Sequence, residues 1–292
     1  CTQALHWKTK EGLVRGCSCR GTAGFAHVSC LAEQAKILYA EAEENNLGYK
    51  AENERWSRWY SCGLCEQHYH GVVHCALGWA CWKTYVGQLE MNGPRRGAIT
   101  ILGNGLFSAE RYDDALQVQE AELSMERQLG APEEFMLYVQ GNIACTYAML
   151  GRLEEALSLR RDVYSRHLKL KGKENLDTLR EADNYALSLI DLERFEEARL
   201  LSRRMMRVAR RVLGASHDTT MRISRSYAKA IYKDASATLD DLREAVTTLE
   251  EAERTARQVL GGAHPLAQDI EGALQKARAA LRAHETLPPA ES

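Results

Sequence analysis

From about residue 97 onward, apolar and small residues recur at three- and four-residue spacing with charged residues between them, the pattern of helices that bury one stripe. Three segments align with one another: GLFSAERYDDALQVQ, TYAMLGRLEEALSLR and LSLIDLERFEEARLL. Their small residues fall at Ala115, Ala156 and Ala198, a period of 41 and then 42. A fourth copy carries Ala245 and is stretched by about five residues around DASATLDD. Three positions before each alanine stands a bulky residue, Tyr112, Leu153, Phe195 or Leu242. The preceding helices carry Gly103 and Leu106, Ala144 and Tyr147, Ala186 and Leu189, and Ala228 and Ile231. Small residues at these places let two antiparallel helices approach closely, while bulky ones fill the space to the next hairpin. The pattern therefore predicts stacked helical hairpins. A long coiled coil would need an unbroken heptad seam, which turn signals at 150–151, 192–194 and Gly214 interrupt.

The first ninety residues are built differently. Eight of the nine cysteines lie between Cys1 and Cys81, and all five tryptophans, from Trp7 to Trp82, share that stretch. LAEQAKILYAEAEEN (31–45) reads as a helix, and YHGVVHCALGWACWKTY (69–85) as a second helix packing the cysteine-rich part onto the repeats. The turn-forming tripeptide Asn92-Gly93-Pro94 marks the boundary. The expected domains are 1–75, a connecting helix and linker at 76–96, repeats over 97–285, and a frayed tail at 286–292. The most apolar stretch, 71–82, is far shorter than the ~20 residues of a membrane span, and the formal net charge of −2 argues against binding nucleic acid through bulk electrostatics. The chain begins at Cys1 rather than Met and reads as a fragment, with no secretory signal; a cytoplasmic protein is expected.

Cysteine spacing carries the candidate chemistry. Cys17 and Cys19 are followed by His27 and Cys30, then by Cys62 and Cys65. Paired thiolates so close in sequence can reach one tetrahedral Zn²⁺ from a tight turn, and neutral imidazole is an equally suitable ligand. A disulfide framework would use the same cysteines in a secreted protein; the missing signal and His27 inside the pattern weigh against it.

CSCRGTAGFAHVSCL (17–31), a tryptophan-containing stretch and CGLC (62–65) together resemble the RING-variant, or RING-CH, zinc finger over residues 1–75. The resemblance implies interleaved ligand pairs. Cys17, Cys19, Cys62 and Cys65 would form one complete Zn²⁺ site. His27, Cys30 and Cys1 would belong to a second site that lacks one ligand in this chain. A ligand upstream of Cys1 is the simpler expectation, and Cys75, Cys81, His68, His70 and His74 are nearby candidates whose ordinary reading is as packed or surface residues. Such zinc is structural, because protein fills every coordination position. Relatives act as ubiquitin ligases, so the resemblance implies a ubiquitin-conjugating enzyme as partner, with Leu31 as one wall of its groove. Two departures stand out: Glu66 occupies a position that is basic in many relatives, and the span from Cys30 to Cys62 is long.

The repeats resemble the long tetratricopeptide repeats of kinesin light chains, whose second helix ends in a Leu-Gly-x-x-His-Pro turn. QLGAPEE, VLGASHDTT and VLGGAHPLA echo it, the last with Leu260, Gly261, His264 and Pro265. The implied fold class is mostly α: a small zinc-stabilised RING-like finger followed by a right-handed α-solenoid of helical hairpins. Its first helices would line a groove for an extended peptide or protein substrate. Asn142 and Asn184 occupy equivalent places there, 14 residues before Ala156 and Ala198, and an amide can both donate to and accept from a peptide backbone. Arg222, Arg225 and Lys229 recur on one helix face and, with Arg180, suggest an acidic peptide; a solvated basic face is the alternative. No side-chain nucleophile or phosphate-binding loop emerges. Three functions follow: a ubiquitin ligase whose repeats hold the substrate, a non-enzymatic adaptor with a structural finger, and cargo linkage of the kinesin-light-chain kind, for which no heptad stretch precedes the repeats.

Overall fold

The computed structural model describes residues 3–87, 93–262 and 264–286. Among these residues the chain is mostly helical, with twelve α-helices and three isolated antiparallel bridges, Leu5 to Gly12, Val14 to Ala26 and Ser61 to His68. None of the helices is long and apolar enough to cross a membrane. The chain divides into two compact units, Cys1–Leu150 and Gly151–Ser292.

The first unit holds α1 (Val28–Glu44), α2 (Tyr49–Trp56), a short 3₁₀ turn (Ser57–Trp59), α3 (Gly71–Tyr85), α4 (Gly93–Ser108), α5 (Tyr112–Gln128) and α6 (Glu133–Met149). The two helices expected in the cysteine-rich part are α1 and α3. The boundary tripeptide is only partly a turn: Gly93 and Pro94 already form the first turn of α4, where proline's missing N–H costs nothing, and Asn92 lies outside the described residues. The second unit holds α7 (Leu153–Lys171), α8 (Leu176–Asp191), α9 (Phe195–Val212), α10 (Asp218–Tyr232), α11 (Leu239–Leu260) and the capping α12 (Pro265–Glu285). Thr286 caps α12, and the rest of the expected tail lies outside the described residues.

The repeat period is written into the turns as well as the core. Glu110, Gly151 and Glu193 hold the left-handed conformation, at φ of 61°, 75° and 58°. Each is followed by an arginine at a helix start, Arg111, Arg152 or Arg194. That arginine pairs with a carboxylate three residues on, at Asp114, Glu155 or Glu197. At the other end of the hairpins, Asn175, His217 and His264 accept the backbone N–H of Asp177, Thr219 and Leu266. The histidine of the long-repeat turn is thus a helix cap, satisfying one of the donors that a helix start leaves unpaired.

Close approach of helices organises the first unit. A Cβ added to Gly78 on α3 would lie 3.0 Å from the Ile101 carbonyl oxygen of α4, and one on Gly105 would lie 2.8 Å from the His74 carbonyl oxygen. Around this contact, Ala35, Trp59, Cys81, Tyr85, Ala98 and Ile101 form one buried cluster. In the second unit Ala198 and Ala245, the small residues of the period, are completely buried.

Alanine normally stabilises a helix interior by about 1 kcal/mol over glycine. Gly105→Ala is expected to do the opposite and lower the thermal midpoint, because the atoms a methyl group would meet, of His74 and Cys75, are backbone. Gly272→Ala on α12, where a new Cβ meets nothing within 4 Å, is expected to raise it. Calorimetry of the pair checks the packing.

A buried carboxylate between α4 and α5 gives a pH signature. Burial raises Glu122 from 4.5 to about 7, against the Thr100 hydroxyl that donates to it. Because the folded value is raised, the stability this group contributes is complete below its unfolded value and is lost as pH rises through about 7. Glu122→Gln is expected to flatten that dependence, worth about 3 kcal/mol between acid and mildly alkaline pH, in denaturant titrations of the two proteins across that range.

Candidate metal centre and repeat face

The finger is folded by local turns that aim sulfurs inward. Val14 exchanges both backbone hydrogen bonds with Ala26, closing the loop that carries Cys17 and Cys19. On the other side Cys62 donates its N–H to the Gln67 carbonyl and accepts at its own carbonyl from Glu66, which takes a left-handed φ of 58°. His70 donates to the Gly16 carbonyl and Tyr69 to the Tyr60 carbonyl, tying the two turns together.

Cys17, Cys19, Cys62 and Cys65 converge so that their sulfurs all lie within 4.8 Å of one another. Cys17 and Cys62 are buried, and the Leu64 N–H points at the Cys62 sulfur at 3.4 Å. Burial works against ionising Cys62, but the Cys65 and Leu64 N–H groups and the Cys17 and Cys19 thiols outweigh it, bringing the value to about 7. Burial and the neighbouring thiols push Cys19 up to about 12. A dication at this set would displace the thiol protons and be held by thiolates. The loop also fits a filled centre: a Cβ on Gly24, at φ +79°, would stand 2.6 Å from the Cys19 Cβ and 3.0 Å from the Cys17 sulfur. All four residues expected in the complete site are brought together here.

His27 and Cys30 also meet. His27, buried, precedes α1 at its N-cap position, with its Nδ1 3.6 Å from the Cys30 sulfur and its Nε2 without a hydrogen-bond partner. The His6 ring lies edge-on at 5.3 Å, and Glu11 accepts from the Ser29 N–H and hydroxyl, holding the preceding turn against α1. This pair fits half of a tetrahedral site. Cys1, expected to join it, lies outside the described residues. Leu31 is half-buried and packs against the cluster containing Cys17, Cys62 and Tyr69. A residue that spacing did not single out is more exposed: Leu64, between the two cysteines of the last turn, is 74% exposed.

On the repeats, Arg180 and Asn184 of α8 and Arg222 and Arg225 of α10 line one cleft of about 350 Å³ in the second unit. The counter-charges of Arg225 and Lys229 come from other helices and were not visible in the spacing, whereas Asp218 stands four residues before Arg222. Arg225 donates to Asp269 at 2.9 Å, Lys229 lies 3.8 Å from Asp191, and Arg222 lies 3.8 Å from Asp218. Asp183, buried on the cleft wall, is raised by burial and pulled back by Arg225, Arg222 and Lys229. The stripe expected to be basic is largely matched by aspartates. Asn184 donates to Glu181 at 3.3 Å. Asn142 sits on α6 of the first unit, its side-chain nitrogen buried without a hydrogen-bond partner.

Residues 182–218, from α8 through α9 to the start of α10, match the sequence profile of the tetratricopeptide repeat. A solved kinesin-light-chain candidate of Podosopora anserina, with nearly identical TPR-like repeats, is 19% identical; the alignment covers 67% of this chain and 91% of that one, with a TM-score of 0.55. BtubC (BKLC) from P. vanneervenii is 14% identical over 91% of this chain and 96% of its own, with a TM-score of 0.52. Among curated proteins none matches the chain. The chain thus carries a tetratricopeptide-repeat match within a fold shared with kinesin-light-chain-like repeat structures.

Proposed function

We propose that this chain is a protein-recruiting scaffold in which a zinc-clamped finger of the RING-variant type is joined to repeats whose first helices take an extended peptide. The convergence of Cys17, Cys19, Cys62 and Cys65 carries the reading. Four sulfurs at mutual ligand distance complete a tetrahedral set, so Zn²⁺ there would be structural and would leave no open position for catalysis. His27 and Cys30 supply half of a second site.

The finer reading is ubiquitin transfer. The finger would seat a ubiquitin-charged conjugating enzyme while the repeats hold the substrate, and catalysis would come from proximity and orientation. Exposed Leu64 beside the sulfurs supports it as an apolar contact, joined by half-buried Leu31. Glu66 cannot act as the cation that assists transfer in relatives, which favours the non-enzymatic adaptor as the second reading. The peptide taken by the second unit is read by Asn184 and Arg180 together with Arg222 and Arg225. With Arg225, Lys229 and Arg222 already facing Asp269, Asp191 and Asp218, its preference for acidic sequences rests chiefly on Arg180.

Native mass spectrometry of the zinc-reconstituted chain is expected to show at least one zinc. Cys62→Ser should lose it, and Gly24→Ala should weaken it by about tenfold through the crowded sulfurs. A chain that takes up no zinc sinks the finger assignment.

Single-turnover discharge of a ubiquitin-charged conjugating enzyme tests the finer reading. The zinc-loaded chain should accelerate discharge, and Leu64→Ala should remove the acceleration without removing zinc. Zinc uptake with no acceleration across a panel of conjugating enzymes would leave the adaptor.

A further inference from the structure

In the first unit, a cavity of about 390 Å³ opens where the cysteine-rich part meets α4 and α6, a volume within the range of small-ligand sites. Trp56 of α2, Tyr60 after the 3₁₀ turn and Tyr138 of α6 give it three aromatic walls, and Ile101 adds an aliphatic one. The Trp56 indole is set by close packing: a Cβ on Gly97 would lie 2.7 Å from its ring.

Register ties this cavity to the repeat face. Ile101 stands 14 residues before Ala115, the place that Asn142 and Asn184 hold before Ala156 and Ala198. Where the later repeats offer an amide, the first repeat offers an apolar side chain beneath aromatic rings. Four polar side chains also line the cavity: His68, His74, Asn104 and Thr100, whose hydroxyl donates to Glu122. Asn104 lies one turn beyond Ile101, and His74 is 92% buried by its 8% exposure, with an Nε2 that has no hydrogen-bond partner. Burial, reinforced by His68 and His70, lowers His74 to about 4, so its ring is neutral at physiological pH. No Asp, Glu, Lys or Arg lines the cavity. In the cleft of the second unit, by contrast, five of the eight lining residues are charged.

We propose that this cavity is an anchor site for one uncharged aromatic side chain with a polar hydrogen, a tyrosine or tryptophan of the partner peptide, held between the aromatic walls and hydrogen-bonded by His74 or Asn104. The rings supply face and edge contacts that an aromatic guest can match, and the polar groups fix its orientation. A cationic guest would also find aromatic faces, but no carboxylate lines the cavity to neutralise it. This inference rests on the peptide-binding reading of the repeats and adds to it the class of residue recognised.

Saturation-transfer NMR on the full chain tests it with N-acetyl-tyrosinamide, N-acetyl-tryptophanamide, N-acetyl-leucinamide and N-acetyl-lysinamide. The two aromatic amides are expected to receive saturation at their ring protons and to outcompete the other two. Tyr138→Ala removes a wall that is 53% exposed, so the fold should survive, as circular dichroism will verify. Affinity for the aromatic amides should fall by roughly two- to tenfold in that variant. Conservative His74→Asn should retain more binding than His74→Leu. Absent transfer, transfer unchanged in Tyr138→Ala, or preference for the lysine amide would overturn the proposal. These amides have no extended chain to clamp, so such a result leaves the peptide reading of the second unit standing. That reading fails separately if Asn184→Ala and Arg222→Ala leave binding of an authentic partner peptide unchanged.

Discussion

Backbone contact between α3 and α4 is the constraint on which the first unit turns. Gly78 and Gly105 meet the opposite main chain with no room for a methyl group, and each forgoes about 1 kcal/mol of helix propensity to do so. Because the two helices touch along their length, α3 serves two cores at once. Val73 and Leu77 pack with Cys17, Cys62 and Tyr69, while Cys81 and Tyr85 pack with Trp59, Ala98 and Ile101. A finger whose own helices are few gains a hydrophobic floor this way, and the first repeat gains a neighbour on its leading side. The second unit uses the milder version of the same rule, with alanines at 198 and 245 in place of glycine.

Periodic features of this architecture were legible in the chain. Small residues at 41- and 42-residue spacing located the hairpins, and cysteine spacing marked the candidate ligands, from which the resemblance to the RING-variant finger picked the four sulfurs that converge. Both are signals in which one residue type recurs at a distance fixed by local geometry. The features that escaped depend on pairs brought together by the fold. Spacing put Arg225 and Lys229 on one face of a helix, but their partners Asp269 and Asp191 come from α12 and α8. Reasoning at three- and four-residue intervals sees only one helix, so it showed the cations and missed the carboxylates. Leu64 was passed over for a related reason: a leucine between two cysteines is exposed only because both cysteines turn inward. Gly24 could be read as a turn residue, whereas its contact with two sulfurs required the loop to close.

Matched charges change what the repeat face of the second unit can do. An incoming carboxylate at Arg225 must compete with Asp269, and at Lys229 with Asp191, so each new ion pair replaces an old one in a partly solvated setting where such pairs are worth little. Selectivity for acidic sequences is correspondingly blunted, and geometry carries more of the recognition. The groups with directional hydrogen bonds to offer are the half-buried Asn184 amide, bonded to Glu181 by a single long contact, and the exposed guanidinium of Arg222, 3.8 Å from Asp218. A ligand on such a face would be read by its backbone and spacing more than by its net charge.

The cavity of the first unit works under the opposite terms. With no permanent charge on its walls, binding there draws on removal of apolar surface from water, which a neutral ring supplies and a charged side chain does not. His74 fits this setting because burial keeps it uncharged, so it can orient a guest without imposing a desolvation cost of its own ion. Ile101 stands at the register of the repeat that Asn142 and Asn184 hold later in the chain. The same helical position thus changes chemistry from repeat to repeat while the small residue fourteen places on, Ala115, Ala156 or Ala198, stays the same.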